Sequence, residues 1–487
     1  MEAVATPPAK PTFSIPTSSN DSVVEIHRIF ELQKKNNLKL KTSSVDERIA
    51  RLKKMKQVCL DYREKIQQAV NKDLRKPAVE TDYAELYNTI AEIKYTIANL
   101  RKWMTPHEVE TPLLFVGSSS KVVFEAKGTC LILTPWNYPF QMPMQHLVTC
   151  VAAGNTAMIK PSEFTPHTSS LVKEMIGKIF AKNEVAVIEG DYSVSSELLK
   201  LKFDHIHFTG SPAVGKVVMR AAAEHLTSVT LELGGKSPAI IDESANIEAA
   251  VKKLTWGKFL NVGQTCIAPD YILIHESKKA AFIQKFKDHL EKTFGSDMSK
   301  SMDLGRIVNN KHFNRLKGLL ENATANGAKV VAGGQLDESQ NYISPTLIDD
   351  VQLDSKIMQE EIFGPLLPIL SFKNIDEAIA LVNEKEKPLA LYIFSGKSKV
   401  ADYVVNNTSA GGTCINDNLV HITQPNLPFG GVNNSGIGKS TGYYGFKEFS
   451  NERAVLKALH SGSIATPLWQ PYGKLTKFVT DMMIKYL

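Results

Sequence analysis

The 487-residue sequence lacks paired cysteines, a signal peptide and any long apolar run. Its five cysteines are scattered with no CxxC pair, which argues against a disulfide framework and against a metal cluster. This usage is typical of a reducing, cytoplasmic compartment. No apolar run reaches the ~20 residues that span a bilayer. We therefore expect a soluble or at most surface-bound protein with no bound metal.

A strong charge of either sign is also absent. Lys and Arg number 57 against 51 Asp and Glu, which leaves a net charge of +6 spread along the chain. The densest basic stretch, RLKKMK at 51–56, has no interleaved aromatic or glycine and is typical of the solvated face of a helix. We expect no nucleic-acid partner. Length and a hydrophobic fraction of 43% predict a globular chain of two or three units.

The periodicity of apolar residues predicts an α/β fold. Residues 44–70 have helical spacing and begin with a capping box formed by Ser44 and Glu47, and a second helix is predicted over 82–102. From about residue 121, helices alternate with short apolar strands at 128–135, 156–160, 185–190, 204–210 and 229–235. This alternation predicts a parallel, doubly wound sheet. A second α/β series begins near residue 235.

Cys266, in GQTCIAPDY at 263–271, is either a nucleophile or a small residue packed in a core. Its neighbours do not decide between these. Glu232 lies inside the apolar strand of VTLELGGKSP, where a charge is costly unless it is paired or protonated. Desolvation raises a carboxyl pKa, which suits a general base, and a buried ion pair is the alternative.

Three other segments have the character of ligand sites at strand ends. FTGSPAVG at 208–215 runs from a strand through a glycine turn into a helix, which suits an anion, although it is not a GxGxxG motif and an ordinary turn is the alternative. Lys160 and Glu163 of IKPSE either bind a ribose or belong to a solvated loop. Asn137 of LTPWNYPF, between two prolines, either stabilises an oxyanion or caps a turn.

Taken in order, these segments resemble the aldehyde dehydrogenase family. PWNYPF, IKPSE, FTGS, LELGGKSP, GQTC, EEIFGP and PFGGV follow one another over residues 135–432. Four further stretches resemble the class 3, fatty-aldehyde branch: CIAPDY, MQEEIFGPLLPI, KPLALYIFS and HITQPNLPFGG. A departure is Asn433, where the branch more usually has glycine, and Asn tolerates a positive φ better than other residues do.

The resemblance implies NAD(P)+-dependent oxidation of hydrophobic aldehydes, aliphatic or aromatic, to carboxylic acids. It assigns Cys266 as nucleophile, Glu232 as general base and Asn137 as oxyanion donor, with a thiohemiacetal and a thioester on Cys266. It assigns NAD or NADP binding to Trp136, Lys160, Ser162, Glu163, Gly210, Ser211, Gly215, Leu233, Gly234, Glu361 and Phe363.

The resemblance also implies a homodimer and a Rossmann-type cofactor domain joined to a catalytic domain and a small β arm. The expected organisation is a tail at 1–20, a cofactor domain at 21–105 and 127–234, a catalytic domain at 235–444, an arm at 106–126 and 445–460, and a C-terminal tail at 461–487. In the arm, KVVFEAKG and YGFKEFS alternate as edge strands do.

Two other activities and the C-terminal tail leave alternatives open. A coenzyme A-acylating dehydrogenase would not need the base Glu232, and an intact set of Cys266, Glu232 and Asn137 argues against a catalytically silent binding protein. Apolar residues at helical spacing over 475–487 predict an amphipathic helix. This helix either packs on its own subunit or a partner, lies on a membrane surface, or covers the substrate entrance.

Overall fold

A computed structural model describes residues 20–112, 115, 117–458 and 465–486, without the side chains of residues 20–22. The tail predicted at 1–20 lies outside this range except for its last residue. The α-helices are α1 Asn20–Lys41, α2 Val45–Asp61, α3 Arg63–Leu74, α4 Ala78–Thr81, α5 Asn88–Met104, α6 Gln141–Ala153, α7 Pro166–Ile179, α8 Tyr192–Leu198, α9 Pro212–Ala223, α10 Ile247–Phe259, α11 Glu276–Phe294, α12 Asn310–Ala325, α13 Lys356–Gln359, α14 Ile375–Glu384, α15 Ser398–Asn407, α16 Gly442–Glu448 and α17 Lys474–Tyr486.

The strands are short, as the lengths of their apolar runs predict. They are β1 His107–Val109, β2 Ser119–Ala126, β3 Thr129–Leu133, β4 Thr156–Lys160, β5 Val185–Val187, β6 His205–Gly210, β7 Ser228–Leu233, β8 Pro238–Ile241, β9 Tyr271–His275, β10 Lys329–Ala332, β11 Leu336–Asp337, β12 Tyr342–Ile343, β13 Thr346–Asp349, β14 Leu366–Phe372, β15 Ala390–Phe394, β16 Gly412–Ile415, β17 Gly436–Ile437 and β18 Ser450–Lys457.

The helices of the first hundred residues follow the predicted pattern with two interruptions. The capping box is confirmed, because Ser44 Oγ accepts from the Glu47 N–H and the Glu47 carboxylate accepts from the Ser44 N–H. The helical run predicted from residue 44 breaks at Tyr62, where α2 ends and α3 begins. The helix predicted over 82–102 opens with a π-helical segment, Asp82–Tyr87, before α5.

A six-stranded sheet, in the order β17-β7-β6-β3-β4-β5, forms the first layered unit. The strands β3 to β7 are mutually parallel, and β17 adds to β7 in the antiparallel direction. Every residue of β3 and β4 is buried, which is expected of parallel strands covered by helices on both faces. The prediction of a doubly wound α/β fold is confirmed.

A seven-stranded sheet, in the order β10-β13-β14-β9-β8-β15-β16, forms the second unit. Its neighbouring strands are parallel except for the edge pair β10 and β13. The chain passes from the first sheet to the second between Leu233 and Pro238, where a boundary near residue 235 was expected. The carboxyl ends of β7 and β3 and the loop before β9 are the parts of this framework that carry the candidate site.

A small antiparallel sheet, in the order β1-β2-β18, corresponds to the predicted arm. KVVFEAKG forms most of β2, as predicted, but the prediction of a strand at YGFKEFS is wrong. Residues 442–448 form α16, and the strand β18 begins only at Ser450. The reason is that Tyr443, Phe446 and Phe449 recur every third residue, so one helical face packs them on the Trp103 side of the core.

The predicted C-terminal helix forms as α17, but its apolar face lies in solvent. None of its described residues is buried, and Leu475 and Phe478 are 64% and 62% exposed. Its own subunit therefore leaves most of this face uncovered, although Val479 and Met483 are half-buried. Packing on a partner, a membrane surface and a cover over the substrate entrance remain the expectations for this helix. The last residue of the predicted pattern, Leu487, lies outside the described residues. Within the described part of the chain, no helix is both long and apolar enough to cross a membrane.

Candidate active site

One large cavity, of about 700 Å³, opens where the two sheets meet. It brings together residues that are far apart in sequence, because they follow the ends of β3, β6 and β7 or lie in the loops before β9 and β14. The predicted site residues that line it are Trp136, Asn137, Gly210, Ser211, Glu232, Leu233, Gly234, Cys266, Glu361 and Phe363. Lys160, Ser162, Glu163 and Gly215 do not line it.

Cys266 projects from a tight, strained loop. Asn261, Val262 and Gly263 have φ values of 51°, 56° and 74°, so three consecutive residues adopt left-handed backbone. For a β-branched residue such as Val262 this conformation is an outlier, and such strain persists only where the surroundings impose it. At Gly263 a side chain would collide with the carbonyl oxygen of Gly364, so only glycine fits. The loop thereby delivers Cys266 to the cavity wall, half-buried.

The Cys266 side chain is a thiol rather than a preformed thiolate. Burial raises its pKa to about 12, and the negative charges of Glu361 and Glu232 contribute in the same direction. The N–H groups of Cys266 and Ile267 lower it, but by less. Of the two routes to an active nucleophile, a depressed pKa or an adjacent base, this environment favours the base.

Glu232 is a buried carboxyl with one oxygen free to act. Its Oε1 accepts from Ser440 Oγ at 2.8 Å, while Oε2 is buried and has no hydrogen-bond partner among the described residues. Burial raises the pKa of Glu232 to about 8. No salt bridge to Glu232 occurs in the described chain, so the alternative of a buried ion pair is not what the structure contains. A carboxyl of this pKa exchanges protons near neutral pH.

Asn137 is held by both its side chain and its backbone. Its Nδ2 donates to the Gln264 carbonyl at 3.0 Å, and its own carbonyl accepts from Asn261 Nδ2 at 2.7 Å and from Lys76 Nζ at 3.2 Å. A primary amide has two N–H donors, so one remains for a ligand in the cavity. Because Gln264 lies two residues before Cys266, the amide is tied directly to the loop that carries Cys266.

Glu361 approaches the end of β7 so closely that glycine is required there. A side chain on Gly234 would overlap the Glu361 carboxylate, and the Gly235 N–H donates to that carboxylate. Burial raises the pKa of Glu361 to about 8. Phe363 contacts Trp136 edge to face, with ring centroids 5.3 Å apart. A carboxylate beside an aromatic ring in a glycine-lined cleft can hold a hydroxylated, planar ligand such as a nicotinamide ribose.

The segment that carries Glu361 is fastened by a buried ion pair that sequence reasoning missed. Lys236 Nζ lies 2.6 Å from Asp270 Oδ2 and also donates to the carbonyls of Ile357 and Glu360. Asp270 Oδ1 accepts from the Ile362 N–H at 3.0 Å. Lys236 lies in the motif GGKSP and Asp270 in CIAPDY. A charged residue in each of these otherwise uncharged motifs was the feature of the sequence that could have indicated the pair.

The glycine turn after β6 presents a helix N-terminus to the same cavity. Ser211 is the N-cap of α9, its Oγ accepting from the Val214 N–H, and Gly210 and Ser211 line the cavity. A side chain on Gly215 would lie 2.7 Å from Leu233 Cδ2, so this glycine permits close packing of α9 on β7. The free N–H groups and dipole of α9 suit a phosphate group, and these residues fit a dinucleotide.

Lys160 and Glu163 lie at the neighbouring strand end and form an ion pair with Nζ and Oε2 2.8 Å apart. The Thr134 N–H donates to the Lys160 carbonyl, which places this pair at the edge of the sheet from which Asn137 extends. Ser162 is buried and caps the following turn through its hydroxyl, which accepts from the Phe164 N–H. A ribose at this edge would meet one ammonium and one carboxylate.

Asn433 is accommodated as expected. Its φ is 55°, and its side-chain oxygen accepts from Lys387 Nζ at 2.8 Å. Asparagine in place of glycine at this position therefore keeps the left-handed turn and adds a hydrogen bond. Among the described residues, no group of three or more His, Cys, Asp or Glu could hold a metal ion, and all five cysteines are unpaired.

Comparison with known proteins gives one consistent family. The model described as "Aldehyde dehydrogenase family" matches residues 8–455. The chain is 46% identical over 415 residues to 4,4'-diaponeurosporen-aldehyde dehydrogenase of Staphylococcus aureus, which covers 85% of this chain and 90% of that protein.

Two rat proteins and one crystallised enzyme are similarly close. Aldehyde dehydrogenase family 3 member A2 is 43% identical, covering 86% of this chain and 85% of its own length. The dimeric NADP-preferring aldehyde dehydrogenase is 43% identical, covering 85% and 91%. A substrate-bound structure of Staphylococcus aureus AldH superposes with a TM-score of 0.90 at 42% identity, covering 94% of this chain and 99% of that one.

Proposed function

This chain belongs to the aldehyde dehydrogenase family, and we propose that it oxidises hydrophobic aldehydes, medium- or long-chain aliphatic or aromatic, to carboxylic acids. The observation that carries this proposal is that Cys266, Glu232 and Asn137 all line one cavity whose walls are largely apolar. Family membership makes it an NAD(P)+-dependent enzyme. The substrate class and the roles of the three residues are the proposed part.

The first step is addition of Cys266 to the aldehyde. Sγ forms a bond to the carbonyl carbon, the thiol proton passes to Glu232 Oε2, and the carbonyl oxygen becomes an oxyanion. Glu232 is suited to accept this proton because its Oε2 is buried without a partner among the described residues, and a pKa of about 8 leaves part of the group ionised near ambient pH. The free N–H of the Asn137 amide and the Cys266 N–H donate to the oxyanion.

The oxidation depends on how the chain holds its cofactor. Bound NAD(P)+ supplies the two-electron oxidant that converts the thiohemiacetal on Cys266 to a thioester. Toward that group the chain offers the N-terminus of α9 for phosphate, Glu361 for ribose hydroxyls and Phe363 as a ring wall. Lys160 and Glu163 would hold the second ribose, where the carboxylate of Glu163 would disfavour a 2′-phosphate and the ammonium of Lys160 would favour one.

Hydrolysis releases the product. Once the proton taken from Cys266 has passed to solvent, Glu232 accepts a proton from a water molecule whose oxygen attacks the thioester carbon. The C–S bond then breaks, the sulfur of Cys266 regains that proton from Glu232, and the carboxylic acid formed loses its own proton to solvent. The product is a carboxylate. A base placed this way makes hydrolysis favourable over acyl transfer to coenzyme A, which needs no such base.

The preference for hydrophobic aldehydes is argued from the cavity walls. They include many apolar and aromatic residues, among them Tyr83, Tyr87, Met142, Trp256, Leu419 and Ile422. Burying each additional CH₂ against such walls contributes about 0.8 kcal/mol. Longer aliphatic aldehydes should therefore have lower KM values until the cavity is filled.

The test is to mix the purified protein with hexanal and NAD+ or NADP+, with and without coenzyme A, and to follow the absorbance of the reduced cofactor. We expect reduction without coenzyme A, and a KM that falls along a series of chain lengths. A requirement for coenzyme A would support the acylating alternative. No reduction with any aliphatic or aromatic aldehyde would refute the proposal.

We also propose that the enzyme is a homodimer joined through the sheet β1-β2-β18. Its outer strands β1 and β18 have largely exposed residues and unpaired edges in a single chain, which is the situation that pairing with a second copy relieves. A related rat enzyme is named dimeric. Light scattering coupled to size exclusion should give twice the chain mass, and a proline in β18 should lower it to one.

The exposed apolar face of α17 is proposed to rest on the surface of a membrane facing the cytoplasm. Leu475, Phe478 and Met482 lie on one face, and Lys474 and Lys477 stand beside them, so the helix combines apolar area with positive charge. We expect the protein to sediment with phosphatidylserine vesicles and a variant without residues 472–487 to stay in the supernatant. Equal sedimentation of the two would contradict this placement, whereas a changed chain-length preference would favour a cover over the substrate entrance.

A further inference from the structure

We infer that Lys76 is a positioning residue for the oxyanion donor, acting through the backbone carbonyl of Asn137. This inference rests on the role proposed above for the Asn137 amide. Lys76 lies 61 residues before Asn137 and does not line the cavity. No substrate group can reach its ammonium, so any effect of Lys76 on the reaction has to pass through Asn137.

Two donors converge on one carbonyl oxygen. Lys76 Nζ donates to the Asn137 carbonyl at 3.2 Å, and Asn261 Nδ2 donates to the same atom at 2.7 Å. A carbonyl with both lone pairs occupied has a fixed peptide plane, and Pro135 and Pro139 on either side restrict the backbone further. The direction of the Asn137 side chain is thereby set from its own main chain.

Lys76 is itself held by a buried partner. It is fully buried, and its Nζ lies 2.6 Å from Glu85 Oε1 and 4.3 Å from the centre of the Tyr138 ring. The other oxygen of Glu85 accepts from the N–H groups of Phe140 and Gln141, at 2.9 and 3.2 Å. The Glu85 carboxylate therefore holds both the Lys76 ammonium, which donates to the Asn137 carbonyl, and the start of helix α6.

Glu85 reaches this position from the π-helical segment Asp82–Tyr87. A π-helical turn rotates its side chains away from the α-helical face, and such segments occur often at functional sites. The neighbouring Asp82 lies at the start of the same segment but pairs with the exposed Arg63, at 2.6 Å, and has no contact with Asn137. The two acidic residues thus offer an internal comparison between a pair that touches the oxyanion site and one that does not.

Asn261 links Asn137 to the loop that carries Cys266. Besides the Asn137 carbonyl, its Nδ2 donates to the Gln264 carbonyl, which also accepts from Asn137 Nδ2. Its own N–H donates to Glu80 Oε1 at 2.9 Å. Lys76 and Asn261 consequently hold Asn137 in one orientation relative to the Cys266 loop, and loss of either donor frees the peptide to rotate.

The test compares a charge-neutral double variant in two backgrounds. Lys76→Met with Glu85→Gln removes the ammonium without leaving a buried carboxylate unpaired, and keeps an acceptor for Phe140 and Gln141. We expect kcat for hexanal to fall at least about 10-fold in the wild-type background, since small misplacements of catalytic groups cost up to about 100-fold. In the Asn137→Ala background we expect the same pair of changes to lower kcat by less than about twofold.

Two further variants keep the inference falsifiable if the double variant folds poorly. Asn261→Gly removes the second donor while glycine accepts the left-handed backbone, and should lower kcat with cofactor affinity unchanged. Arg63→Met with Asp82→Asn is the matched control on the same π-helical segment and should leave kcat unchanged.

The outcomes separate the inference from the proposed function. An equal fold loss in the wild-type and Asn137→Ala backgrounds, or no loss for either Lys76/Glu85 or Asn261 variants with an unchanged Tm, would overturn the positioning role. Asn137→Ala with undiminished kcat would instead overturn the oxyanion role itself, and with it this inference.

Discussion

Lys236 and Asp270 form a buried ion pair, 2.6 Å between Nζ and Oδ2, that joins the strand end after Glu232 to the loop after Cys266. The same two side chains make three hydrogen bonds to backbone groups of residues 357–362, the segment that carries Glu361. The position of the proposed ribose ligand is therefore set by residues of the two motifs that hold the base and the nucleophile.

Breaking this pair should weaken cofactor binding more than the chemical step. In Lys236→Met with Asp270→Asn, the segment of Glu361 loses its charged anchors, and we expect the KM for NAD+ to rise at least about 10-fold. The KM for the aldehyde should change far less. Lys397→Met, which breaks an exposed pair with Glu243, is the control and should leave both values unchanged. Equal increases in the two KM values would contradict a specific role toward the cofactor.

Replacing the proposed nucleophile should separate binding from catalysis. A serine hydroxyl is a far weaker nucleophile than a cysteine sulfur, so Cys266→Ser should abolish aldehyde oxidation. Its volume is close to that of cysteine, and cofactor binding, measured by quenching of tryptophan fluorescence, should be retained. Cys414→Ser, at a half-buried thiol that does not line the cavity, should keep full activity. Turnover by the Cys266 variant would refute the assignment.

The raised pKa of Glu232 should appear in the pH dependence of activity. The base has to be ionised to accept a proton, so kcat should rise with pH and reach half of its plateau near pH 8. Glu232→Gln should have very low activity with no such rise. A profile centred near pH 4.5, the ordinary value for this carboxyl, would show that its burial does not govern the reaction.

The same group should make stability depend on pH. In the folded chain Glu232 keeps its proton up to about pH 8, whereas in the unfolded chain it loses it near pH 4.5, so the unfolded state binds fewer protons in between. The stability that this group contributes is fully present below pH 4.5 and is lost as pH rises to 8. The Tm of Glu232→Gln minus that of the wild type should therefore increase from pH 5 to pH 8, and a constant difference would contradict this.

Glycine at residue 234 should be irreplaceable. A methyl group there overlaps the Glu361 carboxylate, so Gly234→Ala should displace Glu361 and reduce kcat/KM for NAD+ at least about 10-fold. Gly177→Ala is the matched control, because it lies inside α7 with no atom within 4 Å of the added carbon. It should leave activity unchanged and stabilise the helix by about 0.5–1 kcal/mol. Similar activity in the two variants would show that the Gly234 contact has no consequence.

Local pattern was sufficient for much of the fold. The run at Ser44 predicted its capping box because a cap involves residues only three positions apart. Apolar runs predicted β3 and β4, which are buried throughout, and β6 and β7, which are buried over four of their six residues. The prediction of a strand at YGFKEFS was wrong because its aromatic residues fit the two-residue period of a strand and the three-residue spacing of a helix equally well over so few positions. The packing of Phe446 on Trp103, 343 positions earlier, decided in favour of the helix.

The hydrogen-bond partners of the site residues could not be predicted from the spacing of residues in the sequence. Cys266, Glu232 and Asn137 stand in recognisable motifs, but Lys76 and Ser440 do not. Lys76 bonds Asn137 and Ser440 bonds Glu232 across long stretches of chain. Hydrogen bonds of this kind depend on the register of two sheets against each other. The pKa of Cys266 could not be predicted from sequence either, since it is set by burial and by the carboxyl groups of Glu361, in the loop before β14, and Glu232, in β7.

The antiparallel strand β17 comes from residues beyond the seven-stranded sheet, yet it forms the edge of the six-stranded one, beside Glu232. During synthesis, a chain that has emerged as far as β16 already contains Cys266 and the cofactor-facing turns. It still lacks both the edge strand and Ser440, the hydroxyl that holds the base. The thiol of Cys266 is thus synthesised before the hydroxyl that donates to Glu232, and the candidate site is complete only once the segment that begins at β17 has folded back on β7.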